Sequence, residues 1–259
     1  MLVGLSTLYS LLKGDTFSTL LEELNKNLKN ELMLWEIVDD GEYSLNRERV
    51  SLLKKFLELD VRFTVHSPWN NLNIASLDDP LRAQSVRRVK ESIDYASNLE
   101  ALNIVIHPGS KPSDSEKMRR AKELNEASLT ALYDYASSCG IRASIENMIP
   151  LSDKFLERVE DFKEFYLNTK INFPITFDVA HAFLGGMVKD FLKELAKRFC
   201  CIHVSDNRGS YDEHLCIGDG NINWKEIILT LKASNPSAFY IIESVKEPFE
   251  SFKRLKKML

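Results

Sequence analysis

Five histidines occur in the chain, His66, His107, His181, His203 and His214, and each lies at the end of an apolar run or in the loop just beyond one. Carboxylates occupy equivalent places: Glu146, Asp178 and Glu243 end apolar runs of their own, and Asp212 precedes His214 by two residues. Mixed imidazole and carboxylate donors suit Zn²⁺, Mn²⁺ or Fe²⁺, and no cysteine stands at these positions to suggest a sulfur-rich structural zinc site. One histidine in such a place is more often a rim residue hydrogen-bonded to backbone. Five of them together with four carboxylates describe a catalytic metal centre instead, in which an ion acts as a Lewis acid or activates water.

These residues need elements that bring them together from distant parts of the chain. The runs VRFTVH, LNIVIH, IRASIE, PITFD, FCCIH and FYIIE end at His66, His107, Glu146, Asp178, His203 and Glu243 and read as short strands buried on both faces. Two more precede them, Leu2 to Ser6 and a run ending near Val38. Helical patterns follow each strand. They cover about Asp15 to Asn30, Asn46 to Leu59, the Asp78-Asp79-Pro80 cap to Leu99, Glu116 to Ser138, Lys154 to Asn168, Val188 to Arg198, a stretch from Trp224, and Pro248 to Met258. Eight strand–helix pairs without a linker predict an α/β fold, a (β/α)8 TIM barrel forming a single domain over residues 1–259. In such a barrel all strand C-terminal ends meet at one mouth.

Hydrophobic residues make up 44% of the chain and charged residues 28%, as expected for a globular protein with a full core. The net charge of −4 argues against a broad basic surface for nucleic acid, though a local groove is compatible with it. Cys139, Cys200, Cys201 and Cys216 form no CxxC pair; the adjacent Cys200 and Cys201 should point to opposite faces of a strand, and reduced thiols imply a cytoplasmic protein. The N-terminal stretch lacks a basic region and cleavage site and reads as a strand, and no segment has the ~20 apolar residues needed to span a membrane. Gly218 and Gly220 read as a tight turn ahead of a phosphate cradle. Lys111 and the Arg87-Arg88 helix face read as solvated surface.

Several stretches are more specific. They are His66-Ser67-Pro68-Trp69, His107-Pro108-Gly109-Ser110, Glu146-Asn147, Asp178-Val179-Ala180-His181, His203-Val204-Ser205-Asp206-Asn207, Asp212-Glu213-His214 and Gly218 to Trp224. In this order, from about residue 60 to the end, the chain resembles the xylose-isomerase-like barrel superfamily, which unites sugar isomerases and epimerases with endonuclease IV. The endonuclease resemblance implies three ions: one on His66, His107 and Glu146, a second on Glu146, Asp178, His203 and Glu243, and a third on His181, Asp212 and His214. The epimerase resemblance implies one ion on Glu146, Asp178, His203 and Glu243, with His181 holding substrate. Either way the cofactor is a divalent metal, zinc or manganese, at one to three ions per chain.

Departures from the nuclease pattern favour the sugar enzymes. The first strand, Val3-Gly4-Leu5-Ser6, lacks the nuclease histidine, and Asp39-Asp40-Gly41 puts acid where a DNA-inserting loop carries Arg and Asn. The resemblance therefore implies a metal-dependent sugar or sugar-phosphate isomerase or epimerase working by proton transfer through an enediolate. Glu146 and Glu243 would exchange protons with a small carbohydrate, His181 would orient a hydroxyl, Trp69 would form an apolar wall and Arg208 would meet a hydroxyl or phosphate. The alternative is hydrolysis of abasic DNA, the one reading with a nucleic-acid partner. A barrel that binds without catalysis is disfavoured by the intact Glu146 and Glu243.

Overall fold

Apart from Arg62 at the start of the third strand, every strand residue is buried, and the two faces of the sheet are chemically different. The computed structural model describes residues 1–28 and 32–259. Strands β1 (Val3–Ser6), β2 (Leu34–Val38), β3 (Arg62–His66), β4 (Ile104–Ile106), β5 (Ala143–Glu146), β6 (Ile175–Asp178), β7 (Phe199–Val204) and β8 (Phe239–Ile242) run parallel in chain order. The barrel closes where Val3, Gly4 and Leu5 pair with Tyr240, Ile241 and Ile242. Around it lie α1 (Leu8–Lys13), α2 (Phe17–Asn27), α3 (Arg47–Leu57), α4 (Asp79–Asn98), α5 (Met118–Ser138), α6 (Val159–Thr169), α7 (Val179–Leu184), α8 (Val188–Leu195), α9 (Trp224–Ser234) and α10 (Pro248–Met258). This is the (β/α)8 architecture the sequence pattern predicts.

Alternation along each strand sorts the side chains. Outward residues such as Leu5, Trp35, Ile37, Phe63, Val65, Ile106, Ile145, Phe177, Ile202 and Tyr240 join the helices in the main apolar core. The interior holds a smaller apolar floor of Leu34, Cys200, Cys201, Phe239 and Ile241. Above the floor the lining turns polar. Asn103 Nδ2 donates to Ser144 Oγ at 2.7 Å, Ser144 and Thr176 hydroxyls lie 2.6 Å apart, and Thr64 Oγ1 donates to Glu36 Oε2 at 3.2 Å. The metal-ligand residue types form the top layer, at or just beyond the strand ends.

Several expectations differ from the outcome for identifiable reasons. Cys200 and Cys201 both belong to the interior floor, because the register of β6 against β7 shifts between Ile175 and Thr176 and breaks the alternation there. The helix expected from Lys154 starts at Val159. Residues before it pair with the β4 loop instead, through a Ser110–Lys154 bridge and a Phe155 N–H donated to Gly109 O at 3.0 Å, and Asp161 caps the delayed start. Helices α1 and α7 are additional to the expected eight, and the expected end of the first helix at Asn30 lies outside the described residues. The cap at Asp78 is as expected, its carboxylate accepting the Leu81 N–H at 3.0 Å.

The long β7–α9 loop is organised by Asp206, which is fully buried. Its Oδ1 accepts the N–H groups of Asn207 and Ile222, and its Oδ2 accepts Gly218 N–H and the Trp224 indole, at 2.8 to 3.2 Å. Gly218, at φ +87°, makes the turn, and a Cβ on Gly220 would lie 2.2 Å from Asp206 Oδ1. The glycines thus serve the turn, as the sequence reading expects. Asp206→Ala would leave four donors without their acceptor, three of them buried; unfolding in urea should show a loss of at least about 3 kcal/mol, and a variant as stable as the parent would refute this role.

Candidate metal centre and active site

Glu146, at the end of β5, is the hub of the barrel mouth. Its Oε2 lies 3.2 Å from His66 Nε2 and 2.9 Å from His107 Nε2. Its Oε1 lies 3.2 Å from His203 Nδ1 and 3.7 Å from His181 Nδ1. Glu243, just beyond β8, reaches the same His203 Nδ1 at 3.4 Å. The ligand atoms of His66, His107 and Glu146 fall within 4.8 Å of one another, as do those of Glu146, Asp178, His203 and Glu243. The structure therefore brings together the first two sets that the resemblance implies.

The remaining three residues form an outward branch. His181 Nε2 lies 3.4 Å from Asp212 Oδ2, which in turn lies 2.9 Å from His214 Nε2. Asp178 caps α7 by accepting the His181 N–H at 2.7 Å, and Asn147 ties this corner to β5 by bonding both backbone N–H and C=O of Asp178. His214 sits at φ +46°, a left-handed conformation unusual for a side chain with a Cβ, and its carbonyl is held by Val245 N–H at 2.9 Å.

The electrostatics are those of a cluster in which protons take the place of cations. Burial, with Glu146, Asp212 and Glu243 nearby, pushes the Asp178 carboxyl up to about 7 although His181 opposes it. Burial disfavours charge on His181, yet Asp178, Asp212 and Glu146 raise it to about 10. His214 likewise overcomes its burial and rises to about 9 beside Asp212. His203 is driven well above its ordinary value because Glu243, Glu36 and Glu146 outweigh its burial. Glu146, despite burial, is held well below the carboxylate range by His203 and His107, while burial itself lowers His107.

The donor set fits a divalent ion. Asp178 Oδ2 and Asp212 Oδ1 are buried without a hydrogen-bond partner among the described residues, as are His107 Nδ1 and His214 Nδ1. Unpaired carboxylate oxygens cost free energy in a low-dielectric interior unless a cation meets them. Imidazole nitrogens and carboxylate oxygens in this mixture are the donors of zinc and manganese sites.

The other expected residues lie nearby in different roles. Trp69 packs its ring against His107 with centroids 5.6 Å apart and planes at 29°, and meets His66 edge-on at 4.7 Å. Arg208 is on the exposed part of the β7 loop, where its guanidinium pairs with Glu213 at 2.7 Å. Lys111, expected to be solvated, pairs with the buried Glu157 at 2.8 Å. The acids after β2 are committed inward: Asp39 is fully buried on Arg88 at 2.5 Å, and Asp40 accepts the N–H groups of Trp69 and Asn70. Asp40 fixes the loop bearing Trp69 and Asp39 holds Arg88, so Arg88 is not the freely solvated residue expected.

Sequence reading passed over Glu36. It is fully buried inside the barrel, with Oε2 3.5 Å from His203 Nε2, and it groups with Cys201 and His203 one layer below the mouth. Burial pushes the Cys201 thiol up to about 12, which keeps it protonated and a poor ligand. The available signal was a lone carboxylate in the middle of LWEIV, a strand otherwise apolar on both faces.

A family model described as xylose isomerase-like TIM barrel matches residues 31–258, and the chain belongs to that family. The match takes in β2, where the motif-based resemblance is looser. An uncharacterized protein of Methanocaldococcus jannaschii is 32% identical over 91% of this chain and 89% of its own length. A probable endonuclease 4 of Thermoplasma acidophilum is 24% identical, over 59% of this chain and 56% of its own. Among solved structures, a D-tagatose 3-epimerase-like protein superposes with a TM-score of 0.90 at 27% identity, covering 100% of this chain and 97% of that one. No helix among the described residues is long and apolar enough to cross a membrane.

Because protonated imidazoles must give up protons to become ligands, zinc uptake should release protons and tighten by about tenfold per pH unit for each proton released between about pH 6 and 9. Calorimetry in buffers of different ionisation enthalpy measures both. An affinity flat across that range would contradict the electrostatic description.

Proposed function

We propose that the protein is a divalent-metal-dependent sugar or sugar-phosphate isomerase or epimerase. The observation that carries this reading is the meeting of Glu146 and Glu243, from strands β5 and β8, at a single His203 nitrogen, 3.2 and 3.4 Å away. Glu146, Asp178, His203 and Glu243 would hold the ion. When bound, it supplies Lewis-acid polarisation of carbonyl and hydroxyl oxygens. Glu146 and Glu243 approach from separated strands, so one can take a proton from the carbon beside a carbonyl while the other returns one to the opposite face. The substrate passes through its enediolate form between the two transfers.

His181, oriented by Asn147 O at 2.8 Å, would hold a substrate hydroxyl. The Trp69 ring supplies an apolar wall for a sugar face. Arg208 would meet a substrate oxygen only by leaving Glu213. The similarity to a D-tagatose 3-epimerase-like protein over the whole chain supports a small carbohydrate as substrate.

A second reading, hydrolysis at abasic sites in DNA, is favoured by donors beyond the four that proton transfer needs: His66 and His107 on Glu146, and His181 and His214 on Asp212. A duplex binds through free cations. Here Arg208 and Lys111 are already committed to Glu213 and Glu157, which weighs against it.

The test is incubation of the zinc- or manganese-loaded protein with a panel of ketoses and ketose phosphates in D₂O, beside an abasic duplex. Deuterium entering the sugar supports the proposal, and cleavage of the duplex without exchange sinks it. Glu243→Gln should lower exchange about 1,000-fold with the fold intact, as expected for loss of an acid–base group. His107→Ala should cripple duplex cleavage under the second reading but only weaken sugar turnover under the first; matched assays of that variant distinguish them.

A further inference from the structure

A buried imidazole that binds metal through one nitrogen must keep its proton on the other, so whatever accepts that proton decides which nitrogen faces the ion. The mouth histidines differ in this respect. His66 Nδ1 is placed on Ser67 O at 2.9 Å and His181 Nδ1 on Asn147 O at 2.8 Å, both neutral backbone carbonyls. His107 Nδ1 and His214 Nδ1 have no acceptor among the described residues. His203 Nε2 likewise makes no hydrogen bond as the side chains stand, but unlike those two nitrogens it faces a carboxylate: Glu36 Oε2 is 3.5 Å away, a distance that a small rotation of either side chain closes to a hydrogen bond.

Glu36 has few other neighbours that explain its burial. Thr64 Oγ1 donates to the same Oε2 at 3.2 Å, and Oε1 has no hydrogen-bond partner among the described residues. A carboxylate fully enclosed in a barrel is costly unless a charged or strongly polarised donor faces it. His203 is that donor, and its other nitrogen, Nδ1, points at Glu146 and Glu243 in the four-residue set.

We infer that Glu36 is a positioning residue for the metal centre. It holds the His203 proton on Nε2, presents the Nδ1 lone pair to the ion, and strengthens that nitrogen as a ligand. The set Glu146, Asp178, His203 and Glu243 is thereby the tightest divalent site of the mouth, and ions on sets that rely on the unsupported His107 or His214 exchange more readily. This inference rests on the metal set of the proposed function, but not on the reaction.

The experiment compares zinc affinity and stoichiometry of the chain and its Glu36→Leu and Glu36→Gln variants, by competition with a chromophoric chelator. Removing a carboxylate behind a ligating histidine should weaken the tightest zinc site about 10- to 100-fold in Glu36→Leu. Glu36→Gln keeps a carbonyl acceptor and should recover part of that loss, which a mere packing role would not produce. In the unsubstituted zinc-loaded protein, ¹⁵N NMR should find the His203 proton on Nε2, a readout that holds even if a variant fails to fold. Equal affinity in parent and Glu36→Leu, or a His203 proton on Nδ1, or zinc bonded to Nε2, overturns the inference. If zinc binds in a Glu36-dependent way but no sugar exchanges deuterium, the reaction is wrong and the inference stands. If the parent takes up no zinc, both fall.

Discussion

Repulsion among carboxylates confined at the mouth of a closed barrel is the constraint around which this molecule is organised. Glu36, Glu146, Asp178, Asp212 and Glu243 are removed from most solvent, and every imidazole of the chain is placed among them. Neither type of group is stable there alone. Carboxylates without counter-charge would take up protons or push the strand ends apart, and imidazoles without acceptors would stay neutral and unpaired. Together they form a lattice of opposite charges centred on Glu146, and the same arrangement that tolerates shared protons is shaped to accept cations. Stability without an ion and affinity for one are two results of a single placement.

The supporting structure gives up ordinary options to keep that placement. An apolar barrel interior would have been the simpler core, yet between the floor and the mouth the lining consists of Asn103, Ser144, Thr176, Thr64 and Glu36 bonded to one another. Cohesion comes mainly from the outward faces of the strands against the helices. The loops are likewise fastened by buried acids: Asp39 on Arg88, Asp40 on the backbone before Asn71, and Asp206 on four donors. Asp40 and Asp206 thereby fix the loops that carry Trp69 and the Asp212–His214 pair, and Asp39 ties the end of β2 to α4.

Much of this was legible in the sequence because it depends on short-range patterns. Apolar runs of a few residues ending in His, Asp or Glu mark strand ends, and the order of eight strand–helix pairs leaves little choice of topology. Convergence of His66, His107, Glu146, Asp178, His203 and Glu243 then follows from closure of the barrel. What escaped depends on contacts distant in sequence. The delayed start of α6 comes from pairing with the β4 loop, the common side of Cys200 and Cys201 from one register shift, and the inward turn of Asp39 from an arginine 49 residues on. Glu36 escaped for a different reason: the pattern of ligand types marks strand ends, and this carboxylate is in the middle of its strand.

The Glu36–His203 contact also has a mechanical side. Any barrel has a seam where its first strand must find its last, here the β1–β8 ladder, and that joint forms only after the chain has been almost entirely laid down. Glu36 on β2 and His203 on β7 lie one strand in from either lip, so their contact braces the joint from within like a tie rod across a hoop. Unzipping from either terminus must eventually expose a charge that has no other home, and the part of the wall most prone to gape is thereby coupled to the chemistry at its rim.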